Sequence, residues 1–221
     1  MMNRIVIITA AILISLAGYA QTGPSIWTEL EFSKKIVKNL KVEFNPELRL
    51  LNNFKMDSYI LEGGLSYKLH KYLTVAGYYR FENTWDYKKS TGAYKGQVKS
   101  GRLAFDAKSG FELNRFDLQF RLRYTNGADF DQTAEEDNDS YFRYRAKIDY
   151  DIKNSKFVPY VSVEAYHDLV QKELDKIRYT VGISYPINNS HEVGLFYRLQ
   201  DYSETDKESL NIIGFGYSFK F

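Results

Sequence analysis

The chain has no cysteine in its 221 residues. Disulfides, thiolate chemistry and Cys-based zinc sites are therefore excluded, and no thiol is present for lipid attachment behind an export leader. Charge of one sign is also lacking. Lys and Arg number 30 against 28 Asp and Glu, a formal net charge of +2, so no basic stripe is available to hold nucleic acid. There are only three His to serve as bases or metal ligands, and only four Pro. Beyond Leu16 there is no long apolar run and no amphipathic helix stripe. Aromatic residues are what the chain has in quantity: 16% of the total, with 19 Tyr and 15 Phe. Both favour strands, and Tyr suits a boundary that is apolar on one side and wet on the other.

The first residues read as an export leader. Arg4 precedes an apolar run from Ile5 to Leu16, and small residues at Gly18 and Ala20 mark a cleavage site after Ala20. The run is short for a membrane helix, which needs about 20 apolar residues. The expected organisation is a signal peptide at residues 1–20 and one domain at 21–221.

Across that domain apolar and polar residues alternate with period two, broken by polar turns. Phe116 to Thr125 and Tyr141 to Ile152 show this most clearly. The same pattern runs through Leu40–Leu50, Tyr59–Leu69, Leu73–Phe81, Lys176–Tyr185 and Glu192–Gln200. It is weaker in Ile26–Phe32, Gly101–Phe111 and Phe157–Tyr166, and a last stretch covers Phe215–Phe221. Alternation does not say which face is inside. A lipocalin-like barrel turns its apolar face inward, whereas a membrane barrel turns it to lipid.

Three features favour the membrane arrangement. The strands have the length of about 9–11 residues that a tilted strand needs to cross a bilayer. Long polar linkers at Thr84–Val98, Asn126–Asp139, Asp168–Glu173 and Ser203–Ser209 alternate with tight turns, as outer loops and periplasmic turns do. The last strand carries Gly216, Tyr217, Phe219 and Phe221, a pattern resembling the signal by which outer-membrane barrels engage the barrel-assembly machinery. Gly214 stands where that signal usually has a polar residue. The expected fold is thus all-β, an antiparallel up-and-down transmembrane barrel of about ten to twelve strands. Eleven stretches alternate, yet termini on one face require an even number. Loop parity also sets Ile26–Phe32 running downward from the outer face.

Several short motifs resemble an uncharacterised family of outer-membrane barrels common in Bacteroidota, domain of unknown function 2490. They are Trp27 opening the first strand, a Lys34-Lys35 turn, Glu47-Leu48-Arg49, Tyr67-Lys68-Leu69, Gly77-Tyr78-Tyr79-Arg80 and Arg121-Leu122-Arg123-Tyr124. The resemblance implies a Gram-negative outer-membrane location and a barrel fold, and brings no activity.

With the polar face inward, the lumen receives Glu43, Glu47, Arg49, Arg80, Glu82, Arg102, Asp106, Arg121, Arg123, Arg143, Arg145, Glu164, Arg178 and Arg198. Arg stays protonated and pairs bidentately with carboxylates. The set reads either as cross-links filling a structural or interaction barrel, or as an anion-leaning constriction in a small porin-like channel for ions or polar solutes. A third reading, a lipid- or lipopolysaccharide-modifying enzyme or lipid hydrolase, needs a Ser–His pair. Only Ser162, His167 and Asp168 lie close in sequence, without a nucleophile motif; His70 and His191 sit by short turns. No catalytic residue, cofactor or metal site is expected. The acidic loop with Asp129, Asp131, Glu135, Glu136, Asp137 and Asp139 matches no calcium-loop spacing; it reads as solvated, or bridged by divalent ions to lipopolysaccharide. Trp27, Tyr72, Trp85 and Tyr202 fall where an aromatic girdle belongs. The expected partners are outer-membrane lipid, lipopolysaccharide and the assembly machinery.

Overall fold

The computed structural model describes residues 23–88, 91–130, 139–204 and 207–221. The leader expected at residues 1–20 lies outside them, as do Asp131, Glu135, Glu136 and Asp137 of the acidic loop and the side chain of Asp129. The described residues contain no helix. They form eleven strands: β1 (Ser25–Val37), β2 (Leu40–Leu50), β3 (Met56–His70), β4 (Leu73–Tyr87), β5 (Tyr94–Leu113), β6 (Phe116–Asp129), β7 (Asp139–Tyr150), β8 (Val158–Asp168), β9 (Glu173–Pro186), β10 (His191–Tyr202) and β11 (Leu210–Lys220). Each alternating stretch of the sequence falls on one of them, with Ile152, Phe157 and Phe221 lying just outside the strands.

Consecutive strands pair antiparallel, and the ring closes where β1 lies parallel to β11, from Ser25 opposite Ile212 to Ser33 opposite Lys220. The barrel is therefore mixed, which corrects the expectation of a wholly antiparallel wall. The cause is parity. An odd number of up-and-down strands leaves the first and last pointing the same way, and only a parallel ladder can join them. The even-number requirement lapses because β1 starts at the long-loop end while β11 finishes at the short-turn end.

At the seam, Gly214 faces the lumen opposite Trp27. A Cβ there would sit 1.9 Å from the Phe196 ring. The ring of Phe196 occupies that space and packs with Trp27 and Ile212. This accounts for glycine where an assembly signal usually has a polar residue.

The tight turns Lys38–Asn39 and Asn114–Arg115 place Asn39 and Asn114 at φ 72° and 57°, a region asparagine tolerates better than most residues. Lys34 and Lys35, expected to turn, instead continue β1 to Val37. Likewise Thr84 to Val98 is largely strand, with Trp85 opposite Gln97.

Register settles the two faces. Leu65, Leu103, Phe105 and Leu195 point outward and are 52%, 51%, 57% and 59% exposed, whereas the inward Glu62, Asp106 and Arg123 are each 4% exposed. The inward-apolar lipocalin arrangement does not describe this wall. Aromatic pairs mark both outer rims: Tyr59–Phe81, Tyr59–Trp85 and Phe81–Phe130 near the long loops, and Phe116–Tyr150, Phe157–Tyr185 and His191–Phe219 near the short turns. Trp27 and Tyr202 are not among them. Both face inward, Trp27 sharing the parity of Glu29 and Tyr202 standing opposite Lys176. Tyr72 lies in an exposed short turn beside His70.

The absence of native cysteine gives the seam a clean test. Thr28→Cys with Phe215→Cys, opposite one another across β1 and β11, should oxidise to an intramolecular cross-link visible as a gel shift. Thr28→Cys with Leu48→Cys, opposite across β1 and β2, is the positive control. A cross-link in the control alone would mean that the ring closes elsewhere.

Candidate functional site

Alternation carries the charged residues of every strand inward, and burial then forces them to pair. At the long-loop end Trp27, only 2% exposed, is surrounded by guanidiniums. Arg49 stacks on it at 3.9 Å, with Arg178 and Arg198 at 5.2 and 5.3 Å. Each of these cations also has a hydrogen-bonding partner. Arg49 donates to Glu47 at 2.9 Å, Arg178 to Gln200 at 2.5 Å and Arg198 to Glu29 at 2.8 Å. The Arg198–Glu29 pair reaches from β10 over β11 to β1, so it spans the parallel seam. Cation–π contact and charge-assisted hydrogen bonding both gain in such a desolvated setting.

Midway down, Arg123 grips two carboxylates. Its Nε and Nη2 donate to the two oxygens of Asp106 at 2.6 and 3.0 Å, and its Nη1 donates to Glu62 at 3.0 Å. Glu62 also accepts from Arg80 at 3.0 Å. The Tyr78 ring lies 5.0 Å from the Arg123 guanidinium. Its hydroxyl donates to Glu43 and accepts from Lys108 at 2.6 Å. Glu164, on β8 two strands from β6, accepts from Arg121 at 2.6 Å and from Arg143 at 3.1 Å. Glu82 lies 3.6 Å from Arg49 and 3.9 Å from Arg102.

Every residue of the sequence-derived lumen set thus faces inward, and the ladder registers join them through shared partners. Arg145 is the exception. It stands opposite both Arg121 and Glu164, yet makes no hydrogen bond or ion pair among the described residues.

Sequence reasoning missed Glu29, Glu62, Tyr78, Lys108 and the inward Trp27. Glu62 shares the face of Ser66 and Lys68, but Ile60 on that face and Gly63-Gly64 broke the pattern. Trp27 shares its face with Glu29 and Glu31, and parity alone would have placed it.

The lumen is uneven along its axis. Trp27, Ile60 and Ile212 fill the long-loop half with exposures of 2%, 0% and 0%, leaving a pocket of about 150 Å³ between Arg80, Arg102, Arg143 and Tyr166. Below the Arg123 layer the inward residues of β9 to β11 include the small Ser184, Gly194, Gly216 and Ser218. A cavity of about 510 Å³ opens there. It continues into spaces of about 620 and 670 Å³ that reach the short turns at Asn39 and Asn114. Among the described residues the barrel is more densely packed at the long-loop end than at the short-turn end.

The Ser162–His167–Asp168 grouping does not assemble. Ser162 lies opposite the inward Lys147, whereas His167 lies opposite the outward Phe142. Asp168 faces inward and caps a turn, accepting the amides of Val170 and Gln171 at 2.7 and 2.9 Å. His191 faces outward, its Nδ1 2.7 Å from the Tyr217 hydroxyl. Among the described residues no group of three or more His, Asp or Glu is placed to hold a metal ion. Of the C-terminal set, Tyr217 and Phe219 face outward, Gly216 faces inward opposite Gly194, and Phe221 lies against Phe219 at 4.2 Å.

Fold and lumen together define a closed, eleven-stranded β-barrel with an apolar exterior and an ion-paired interior. Residues 25–211 match the family model described as "Protein of unknown function (DUF2490)", and the chain belongs to that family. The match runs from the first residue of β1 into β11, so family and barrel coincide. No curated protein matches the sequence.

The buried network predicts an asymmetric mutational response. Arg123→Ala leaves Asp106 with only Lys108 at 3.7 Å and Glu62 with only Arg80 at 3.0 Å, and losing one partner of a buried pair costs about 3–5 kcal/mol. Arg145→Ala breaks no pair and should cost less than about 1 kcal/mol. Urea unfolding in detergent micelles measures both, and equal losses would refute the network as described.

Proposed function

We propose that the protein is an outer-membrane β-barrel of a Gram-negative envelope that works as a structural or interaction barrel, presenting its long loops while conducting little. The carrying observation is the inside-out wall. Apolar side chains stand exposed around the circumference, from Val42 and Leu65 through Leu103, Phe120, Tyr144, Val161 and Tyr179 to Leu195 and Phe215. Soluble monomers rarely expose contiguous apolar patches beyond a few hundred Å², and a belt of this kind calls for lipid. The Arg4–Ala20 leader pattern supports export and cleavage near Ala20. Tyr217 and Phe219 on the outer face of the last strand support engagement by the barrel-assembly machinery, with lipid and lipopolysaccharide as later partners.

The filled half favours a closed barrel. A guanidinium fixed between carboxylates and stacked on a ring is not free to coordinate passing ions. The hollow half, with Arg121 and Arg145 on its wall, is what favours the second reading, a small anion-leaning channel. Ser162 and His167 lie on opposed faces and do not pair as nucleophile and base, so no observation favours the lipid-modifying reading.

Planar bilayers separate the first two. Purified wild-type barrel, inserted as judged by heat-modifiable migration, should give no conductance steps. Discrete anion-selective steps, altered by Arg121→Ala or Arg143→Ala, would establish the channel instead.

A further inference from the structure

The vestibule at the short-turn end holds a pair of guanidiniums that is short of acceptors. Arg121 and Arg145 stand directly opposite one another on β6 and β7, and like charges so placed are destabilising. One carboxylate, Glu164, lies within reach, and it is already engaged by Arg121 and Arg143. The Arg121 Nε is buried without a hydrogen-bond partner, and among the described residues Arg145 has no ion pair within 4 Å. Both guanidiniums line the 510 Å³ cavity and also the 620 Å³ space leading from it to the short turns. That route carries further cations, Lys41, Lys68 and Lys71, with Lys108 deeper in. The packed layer offers a contrast: its opposed pairs Arg123–Arg143 and Arg80–Arg102 have carboxylate partners in Glu62, Asp106, Glu164 and Glu82.

We propose that the Arg121–Arg145 pair is a binding site for a small oxyanion, the phosphate or carboxylate group of a solute that enters through the short-turn mouth. A planar guanidinium presents a fork of N–H donors suited to such oxygens. Two forks facing across a ladder can hold one anion between them, and the anion relieves their mutual repulsion. The lysines along the entry draw anions inward. Glu31 on β1, Glu192 on β10 and Asp149 on β7 line the 670 Å³ space, so the attraction is strongest along the 620 Å³ route. The site opens to the lumen and not to the lipid-facing exterior, so its ligand is a dissolved solute and not a bilayer headgroup. The inference rests on lumen geometry alone and is tested in micelles, so it stands or falls separately from membrane placement and conductance.

The test is titration of the barrel, folded in an uncharged maltoside detergent, with inorganic phosphate, followed calorimetrically and by phosphorus NMR line broadening. One saturable site is expected. Arg145→Gln, which breaks no pair, should weaken it at least about tenfold, as losing a charge-assisted hydrogen bond does. Arg145→Lys should recover part of the affinity. Arg121→Lys keeps the charge beside Glu164 but removes Nε, and should weaken binding as well; it serves as the second variant should Arg145→Gln fail the heat-modifiability check for folding. Absence of saturable binding to the wild type would overturn the site. So would affinity within about twofold of wild type in the folded variants.

Discussion

Arg123, clamped between Asp106 and Glu62, is the constraint around which the interior is organised. A guanidinium at 4% exposure is tolerable only with its donors satisfied. Satisfying them fixes a carboxylate on β5 and another on β3, two strands further round the wall. Glu62 in turn holds Arg80, and Tyr78 covers the guanidinium face while tying Glu43 and Lys108 together. The register of β3 through β6 is thereby set twice, once by the backbone ladder and once by the ions inside it. A one-residue slip would turn each of these charges to the apolar exterior.

The same logic operates at the seam. A parallel pair is slightly weaker per residue than an antiparallel one, and closing an odd barrel obliges the wall to contain one. Side chains reinforce that join from within. Arg198 on β10 pairs with Glu29 on β1 across β11, and Trp27 of β1 lies among arginines from β2, β9 and β10. Gly214 leaves room for Phe196 to complete this packing. The rings and ions that brace the seam are also those that pack the long-loop half of the lumen.

Much of this was legible in the sequence, because strand periodicity is strict and charges on one parity must share a face. The alternation from Phe116 to Thr125 gave both the strand and the inward pair Arg121 and Arg123. What stayed hidden depends on information that alternation lacks. Strand parity exposed the conflict over β1, but a parallel closure depends on both ends of the chain at once. Trp27 was assigned to the rim because an aromatic near a strand end suits an interface, and its parity with Glu29 argued otherwise. Glu62 was masked by Ile60, an apolar residue on the polar face that belongs to the packed half. The division into filled and hollow halves follows from side-chain volume at each level, which no single strand reveals.

The central claim is that the packed layer separates the vestibule from the long-loop side. Ser184 lines the vestibule beneath that layer, and no native cysteine competes for a thiol reagent. With Ser184→Cys in place, a charged membrane-impermeant thiol reagent added to intact cells should leave the protein unlabelled. In the proposed outer-membrane setting the same reagent should label it readily once the short-turn side is opened. Labelling at comparable rates from both sides would show a continuous path through the barrel and contradict the account.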